Sequence, residues 1–384
     1  MKIAIVIQRY GLDIVGGAEY HAREVAEHLN KYFPVEVLTT CAKDYRSWSN
    51  EFKEGSEFIN GVIIRRFKNN KERPIDLHRN IEEKVFHKSH NKEDEIKWID
   101  AQGPYCPDLI EYIKLNKKDF DCFIFFTFRY YTSYYGIRAA CEKSLLAPLA
   151  EDDPALALET TKNMFEIVRG VIYNAPEERE LILKNTGYME NIWDIVGCGV
   201  RIPDLDSVPL INENYVLYLG RIEGSKGCYK LFEYYLQAEK ELDYIPNLIL
   251  AGFKAIDIPA HNKIKYLGFV SEEEKLKLLK NAKFLINPSP FESLSLVALE
   301  ALACETPILV NGECDVLKGH CIRSNAGLWY NNFDEFIECL KILSINEKLR
   351  EKLGVNGRRY VKLNYDWDCV EKKYIDLLDK FIKN

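Results

Sequence analysis

The chain has 384 residues, 47% of them hydrophobic and 29% charged, enough for two domains that each bury a core of their own. Its net charge of −7 excludes a broad nucleic-acid footprint, which needs a basic surface. Cysteine occurs 11 times with no CxxC pair. That signals neither a zinc site nor a disulfide framework, but buried thiols in a reducing compartment.

The start, MKIAIVIQRYGLD, enters an apolar strand at once. It lacks the charged leader, apolar region and cleavage site of a signal peptide. No apolar run reaches the roughly 18 residues that crossing a bilayer needs. A cytoplasmic location is expected, with peripheral attachment to the inner membrane face left open. Residues 3–7 read as a strand buried on both faces, followed by the turn GLDIVGGAE at 11–19 and a helical pattern over 18–31. Strands are expected at 35–38, 62–67 and 123–126, with two shorter ones around Leu149 and Val171. The stretch 196–214 is rich in Gly, Pro, Asp and Asn, which is linker chemistry.

The alternation then restarts. A strand is expected at 215–219, a helix at 226–240, and strands at 248–250, 264–267, 284–286 and 308–310. Strand, helix, strand in repeated order argues parallel sheets. The fold class is α/β, with two doubly wound Rossmann-like domains facing a cleft, where ligands of such folds bind. The expected boundaries are 1–198 for an acceptor domain and 199–364 for a donor domain. The tail 365–384 repeats Trp367, Val370, Tyr374, Leu377 and Phe381 at helical spacing, and is expected to pack back on the first domain.

Three motifs carry chemistry. Gly16-Gly17-Ala18-Glu19 lies between the first strand and first helix, where backbone can approach an anion; a tight turn explains the glycine pair equally well. In LGRIEGSKG at 219–227, Arg221 and Lys226 flank a turn that opens a helix. Two cations converging there form a diphosphate clamp; the alternative is two solvated charges. The third is NPSPFESLSLVALEALACETPILVNG at 287–312. Its prolines make 287–291 loop, and a Ser-rich turn should open a helix from Leu296. Free amides at such a start attract phosphate. Glu292 and Glu300 sit within an apolar run, where a charged side chain needs a reason. Carboxylates there suit sugar hydroxyls beside a phosphate, which a nucleotide-sugar supplies.

Together with LGFVS at 267–271, these stretches resemble the retaining glycosyltransferases of family 4, within glycosyltransferase group 1, whose two-Rossmann architecture is called GT-B. The segment ECDVLKGHCIRSNAGLWY at 313–330 resembles a bacterial branch that builds surface polysaccharides. The resemblance implies a UDP- or GDP-linked sugar donor and a glycan or lipid-linked acceptor. It implies that Arg221 and Lys226 hold the donor diphosphate, that Glu300 binds the ribose and that Glu292 contacts the transferred sugar. Backbone amides of Ser293, Leu294, Ser295 and Leu296 would meet sugar and phosphate, Val270 would lie by the nucleobase, and Gly17 would let a loop approach the phosphate. No metal or other cofactor is implied, since Arg, Lys and helix dipoles supply the electrostatics. The chain's Asp-x-Asp, Asp204-Leu205-Asp206, falls in the linker.

One departure concerns catalysis. Relatives often carry a His at the end of a first-domain strand; in PLAEDDP at 148–154, Glu151 stands in its place. A carboxylate there changes local charge and hydrogen bonding and leaves acceptor activation open, beside a plain helix-capping role. Tyr130, Tyr131, Tyr134 and Tyr135 read equally as acceptor contacts or as core. A dehydrogenase is disfavoured because the first turn lacks GxGxxG. A same-fold phosphorylase, a nucleotide-sugar epimerase or a non-catalytic binding protein are the alternatives.

Overall fold

The computed structural model describes residues 1–14, 16–210 and 214–383. Positions 15, 211–213 and 384, which belong to the expected turn, linker and tail, lie outside the described residues. The chain divides into two compact units, Met1–Cys198 with Glu371–Asn384, and Gly199–Val370.

The first unit carries strands β1 (Ile3–Val6), β2 (Val35–Thr40), β3 (Gly55–Ile59), β4 (Val62–Phe67), β5 (Cys122–Phe126), β6 (Ser144–Ala147), β7 (Gly170–Tyr173) and β8 (Trp193–Ile195). Its helices are α1 (Gly17–Leu29), α2 (Ile75–His87), α3 (Lys92–Gln102), α4 (Pro107–Asn116), α5 (Tyr131–Ala139), α6 (Glu159–Ile167) and α7 (Pro176–Thr186). The sheet order is β3-β4-β2-β1-β5-β6-β7-β8. Every pairing is parallel except β3–β4, a hairpin at the edge. β1 and β5 are buried along their whole lengths, which fits their unbroken apolar sequences, and β6 is buried throughout as well, its Ser144 included.

In the second unit the strands are β9 (Tyr215–Leu219), β10 (Asn247–Ala251), β11 (Ile264–Tyr266), β12 (Leu285–Asn287), β13 (Ile308–Asn311) and β14 (Gly327–Tyr330). They interleave with α8 (Cys228–Glu241), α9 (Glu272–Asn281), α10 (Leu296–Ala303), α11 (Asp315–Ser324), α12 (Phe333–Ile345) and α13 (Glu347–Asn364), and α14 (Trp367–Lys383) closes the chain. All pairings are parallel, in the order β11-β10-β9-β12-β13-β14. The winding therefore reverses between β9 and β12, and in the first unit between β1 and β5. Sheets of this kind bind ligands beyond the carboxyl ends of the strands at such a reversal.

Several expectations are corrected. The strand foreseen around Leu149 ends at Ala147; Pro148 cannot donate to a ladder, and Leu149 turns left-handed at φ 52°. The sequence reading missed β3, β8 and β14. The β3–β4 hairpin turns at Asn60-Gly61, with φ 48° and 83°, a signal present in the sequence. Asn287 closes β12 instead of opening the loop. In the tail, Val370, Tyr374, Leu377 and Phe381 are buried. Within the first unit Glu371 accepts from His28 Nδ1 at 2.5 Å, Lys31 Nζ at 2.8 Å and the Tyr32 hydroxyl at 2.5 Å. Among the described residues no helix is long and apolar enough to cross a membrane.

Candidate functional site

The second unit's reversal point is built by two loops drawn close together. The loop after β9 turns at Gly227, φ 73°, just before α8. A Cβ added there would sit 2.1 Å from the Pro288 carbonyl oxygen in the loop after β12, so only glycine admits this approach. That second loop is pinned from below. Asn311 Nδ2 donates to Pro288 O at 3.2 Å, the Ser289 amide donates to Asn287 Oδ1 at 3.1 Å, and Ser289 Oγ donates to Phe291 O at 2.8 Å.

Lys226 reaches from the first loop to the second. Its Nζ lies 3.0 Å from Glu292 Oε1 and 3.4 Å from Phe291 O. Arg221, the other member of the expected clamp, is about half exposed at 45% and grips Glu223, with Nη2 3.1 Å from Oε1. Each cation thus rests on a neighbouring carboxylate. Lys226 also precedes α8, which starts at Cys228 rather than at the expected 226.

The Ser-rich helix start takes a form that the sequence does not reveal. Ser295 is the residue before α10, but it is left-handed (φ 65°, ψ 75°) and makes no side-chain cap. Its Oγ accepts from Asn287 Nδ2 at 3.0 Å instead. A non-glycine residue in that region costs of order 1–3 kcal/mol, and such strain clusters at ligand sites. The Ser295 side chain does not cap α10, whose start carries the positive end of the helix dipole, while the Ala298 and Leu299 amides donate to Ser295 O at 3.1 and 3.3 Å. Of the residues with expected backbone roles, Leu294 and Ser295 are buried, and Ser293 and Leu296 are half-buried.

Glu300, in the middle of α10, is paired with Lys275 of α9 at 2.8 Å. Lys275 is a site residue the sequence reading missed. Burial lowers its pKa, but Glu300 and Glu272 more than offset this and hold it above the ordinary value. Burial pushes the Glu300 carboxyl up against the pull of Lys275. α9 is fixed by a capping box between Ser271 and Glu274, which also anchors the loop carrying half-buried Val270.

His320 was missed as well. Fully buried on α11, it meets Leu294 O through Nε2 at 2.8 Å and the Tyr360 hydroxyl through Nδ1 at 3.0 Å. Burial, helped by Arg323, lowers its pKa to about 4, so the ring is neutral at ordinary pH. A neutral ring whose Nε2–H donates to Leu294 O and whose Nδ1 accepts from Tyr360 satisfies both contacts. His320 therefore holds the carbonyl next to Ser295 in place.

At the first unit's reversal point, Arg9 and Glu19 form a buried pair at 2.5 Å, and Gln8 and Thr127 join it. Gly17 opens α1, where a Cβ would meet nothing within 4 Å. The crowded glycine is Gly16, whose Cβ would lie 2.1 Å from Glu19 Oε2. Glu151 lies in the loop after β6, half-buried. Asp153, not Glu151, caps the short helical turn that follows. The loop is held by buried Glu178, another residue missed, which accepts from the Ala150 and Asn174 amides at 2.6 Å each. Burial, with Glu151 as a like charge, pushes Glu178 up to about 8. Of the four tyrosines, Tyr131 and Tyr134 are buried in the core, while Tyr130 and Tyr135 are half-buried, and Tyr135 donates to Asp100 at 2.9 Å.

Residues 205–360 match the family of glycosyl transferases group 1. That match takes in most of the second unit and supports a group 1 glycosyltransferase reading of it. Over 98% of its length the chain is 24% identical to an uncharacterised glycosyltransferase of Methanocaldococcus jannaschii, covering 97% of that protein. It is 26% identical, over 56% of its length, to the N,N'-diacetylbacillosaminyl-diphospho-undecaprenol alpha-1,3-N-acetylgalactosaminyltransferase of Campylobacter jejuni, spanning about half (51%) of that enzyme. The structure of Anabaena HepE in complex with UDP-glucose shares the fold, with a TM-score of 0.70 at 14% identity over 99% of this chain and 100% of that one. The architecture is two Rossmann-like α/β domains, as in GT-B glycosyltransferases. Lys226 and Glu292 meet across the two loops at the β9–β12 reversal, and Glu300 lies on α10, the helix that follows β12, against Lys275.

Proposed function

We propose that the chain is a retaining glycosyltransferase of family 4, moving a sugar from a UDP- or GDP-linked donor to a glycan or lipid-linked acceptor in cell-surface polysaccharide synthesis. The observation that carries this reading is the Lys226–Glu292 bridge at 3.0 Å across two loops at the sheet's reversal point. A donor diphosphate arriving at the α10 amides competes with Glu292 for Lys226. The exchange leaves a Lys–phosphate contact and frees Glu292 for hydroxyls of the transferred sugar. Arg221 moves from Glu223 to the same diphosphate, and Glu300, oriented by Lys275, takes the ribose hydroxyls. Val270 lies against the base.

As the glycosidic bond breaks, negative charge grows on the leaving diphosphate. Lys226 and Arg221 stabilise it more in the transition state than in the ground state, so they act on turnover. No metal is needed in this reading, because two cations and the helix start supply the field. The acceptor is taken up by the first unit, where Glu151 is proposed to contact substrate, and retention follows from attack on the face the diphosphate leaves. The chain works in the cytoplasm, at the inner membrane face when its acceptor is lipid-linked. The likeness to HepE, solved with UDP-glucose, and to the Campylobacter enzyme, whose name describes a diphospho-undecaprenol substrate, supports these donor and acceptor classes.

A panel of UDP- and GDP-sugars tested for hydrolysis checks this reading. At least one is expected to release nucleotide, and Lys226→Ala is expected to lower that turnover by about 100-fold or more with its melting temperature unchanged. Near-normal turnover by Lys226→Ala, or hydrolysis of no donor, contradicts it.

A further inference from the structure

In the first unit, the loops after β2, β4 and β5 bring together a group of residues with no part in the mechanism above. Arg73, between β4 and α2, is half-buried. Its guanidinium donates twice to one carbonyl, Gln102 O, at 3.0 and 2.8 Å, and lies 4.8 Å over the Trp48 ring. Trp48 Nε1 donates to the same carbonyl at 2.7 Å. Among the described residues no carboxylate pairs with Arg73. Glu82 and Asp44 act on it only at longer range, while Arg129, a like charge, opposes it.

Arg129, in the loop after β5, pairs with Asp153 and lies 3.6 Å from Glu82, yet its Nε is buried without a hydrogen-bond partner. Tyr130 follows it and packs edge-on against Trp48 at 5.5 Å. Beside them on α2, His78 Nε2 stands 3.2 Å from Glu82 Oε2 but is buried and unaligned for a hydrogen bond. Arg129 has Asp153 and Glu82 beside it, but half-buried Arg73 is bound by neutral partners alone, which is unfavourable for a guanidinium unless an anion reaches it. Guanidinium forks match phosphate oxygens in geometry and charge. The carboxyl ends of β4, β2, β1 and β5 are neighbours in the sheet, and ligands of such sheets bind at carboxyl ends.

We propose that Arg73 and Arg129 form a binding site for a phosphate group carried by the acceptor. Arg73 offers its outer N–H groups, and Arg129 its unpartnered Nε. The term acceptor rests on the glycosyl-transfer reading; the anion site itself rests on these side chains. The phosphate belongs either to a phosphorylated sugar or to the diphosphate of a lipid-linked one.

Calorimetric titration of the full chain, with its donor site filled by excess UDP, tests this with inorganic phosphate, farnesyl diphosphate and glucose as probes. Both anions are expected to bind and glucose is not. Arg73→Gln and Arg129→Gln should each weaken the anions about tenfold while UDP affinity stays within about twofold. Arg73→Lys, which keeps the charge but loses the fork, should fall between. Farnesyl diphosphate binding at least about tenfold tighter than phosphate identifies a lipid-linked source, and equal affinities a phosphorylated sugar. Glucose binding as well as the anions, no anion binding to the wild type, or undiminished anion binding by both Gln variants overturns the proposal. Failure to bind UDP or GDP counts against the glycosyltransferase reading instead, and leaves the phosphate titration to be read separately.

Discussion

His320 shows how one buried side chain sets the geometry of the site. Its ring fixes the Leu294 carbonyl, and the next residue, Ser295, makes the left-handed turn that opens α10. Replacing it with Phe leaves that carbonyl buried and unpaired, a cost of about 1–3 kcal/mol. His320→Phe should therefore lower stability by that order in denaturant unfolding and weaken donor binding. The pH dependence follows from the ring's neutrality. The unfolded chain takes up a proton near 6.5, but the folded ring does so only near 4. As pH falls through that window the unfolded state gains, by about 1.4 kcal/mol per pH unit at most. Wild type should thus lose more stability than His320→Phe between pH 6.5 and 4. Parallel losses in the two proteins would remove His320 from the account.

At the scale of elements, the close approach of two loops decides where the site lies. Gly227 permits it: its φ of 73° and the 2.1 Å that would separate an added Cβ from Pro288 O leave no room for a side chain. Gly227→Ala combines left-handed strain of roughly 1–2 kcal/mol with displacement of the neighbouring loop, together about 3 kcal/mol. Thermal unfolding should report that loss, with the Lys226–Glu292 bridge broken and donor turnover lowered. An unchanged melting temperature would mean that the loops are not in contact. The sequence disclosed these elements unevenly. Long apolar runs such as β1, β5 and β9 are legible because burial on both faces demands them. β8 and β14 lack such a run, since β8 is Trp-Asp-Ile with its Trp exposed and β14 opens on a glycine and is only half-buried in its middle, and exposed β3 lacks an apolar face. Glu292, Glu300, Arg221 and Lys226 stood out as charges near apolar runs or turns. Lys275, His320 and Glu178 did not, because their partners are fixed only when distant segments meet, as Lys275 does with Glu300 25 residues away. The left-handed Ser295 was invisible too, since serine there reads as an ordinary cap.

On the scale of the whole molecule, each of the two units is a doubly wound sheet with a polar cluster at its point of reversal. In the second unit that cluster joins cations, two acids and an uncapped helix start; in the first it joins the Arg9–Glu19 pair, with Arg73 and Arg129 nearby. The central claim is that the second unit's cluster is a nucleotide-sugar diphosphate site. Calorimetric titration with UDP and GDP tests it most directly. At least one nucleotide should bind, and Glu300→Gln should weaken it about tenfold, through loss of a charged hydrogen bond to the ribose. No detectable binding of either nucleotide, or full affinity in Glu300→Gln, would contradict it.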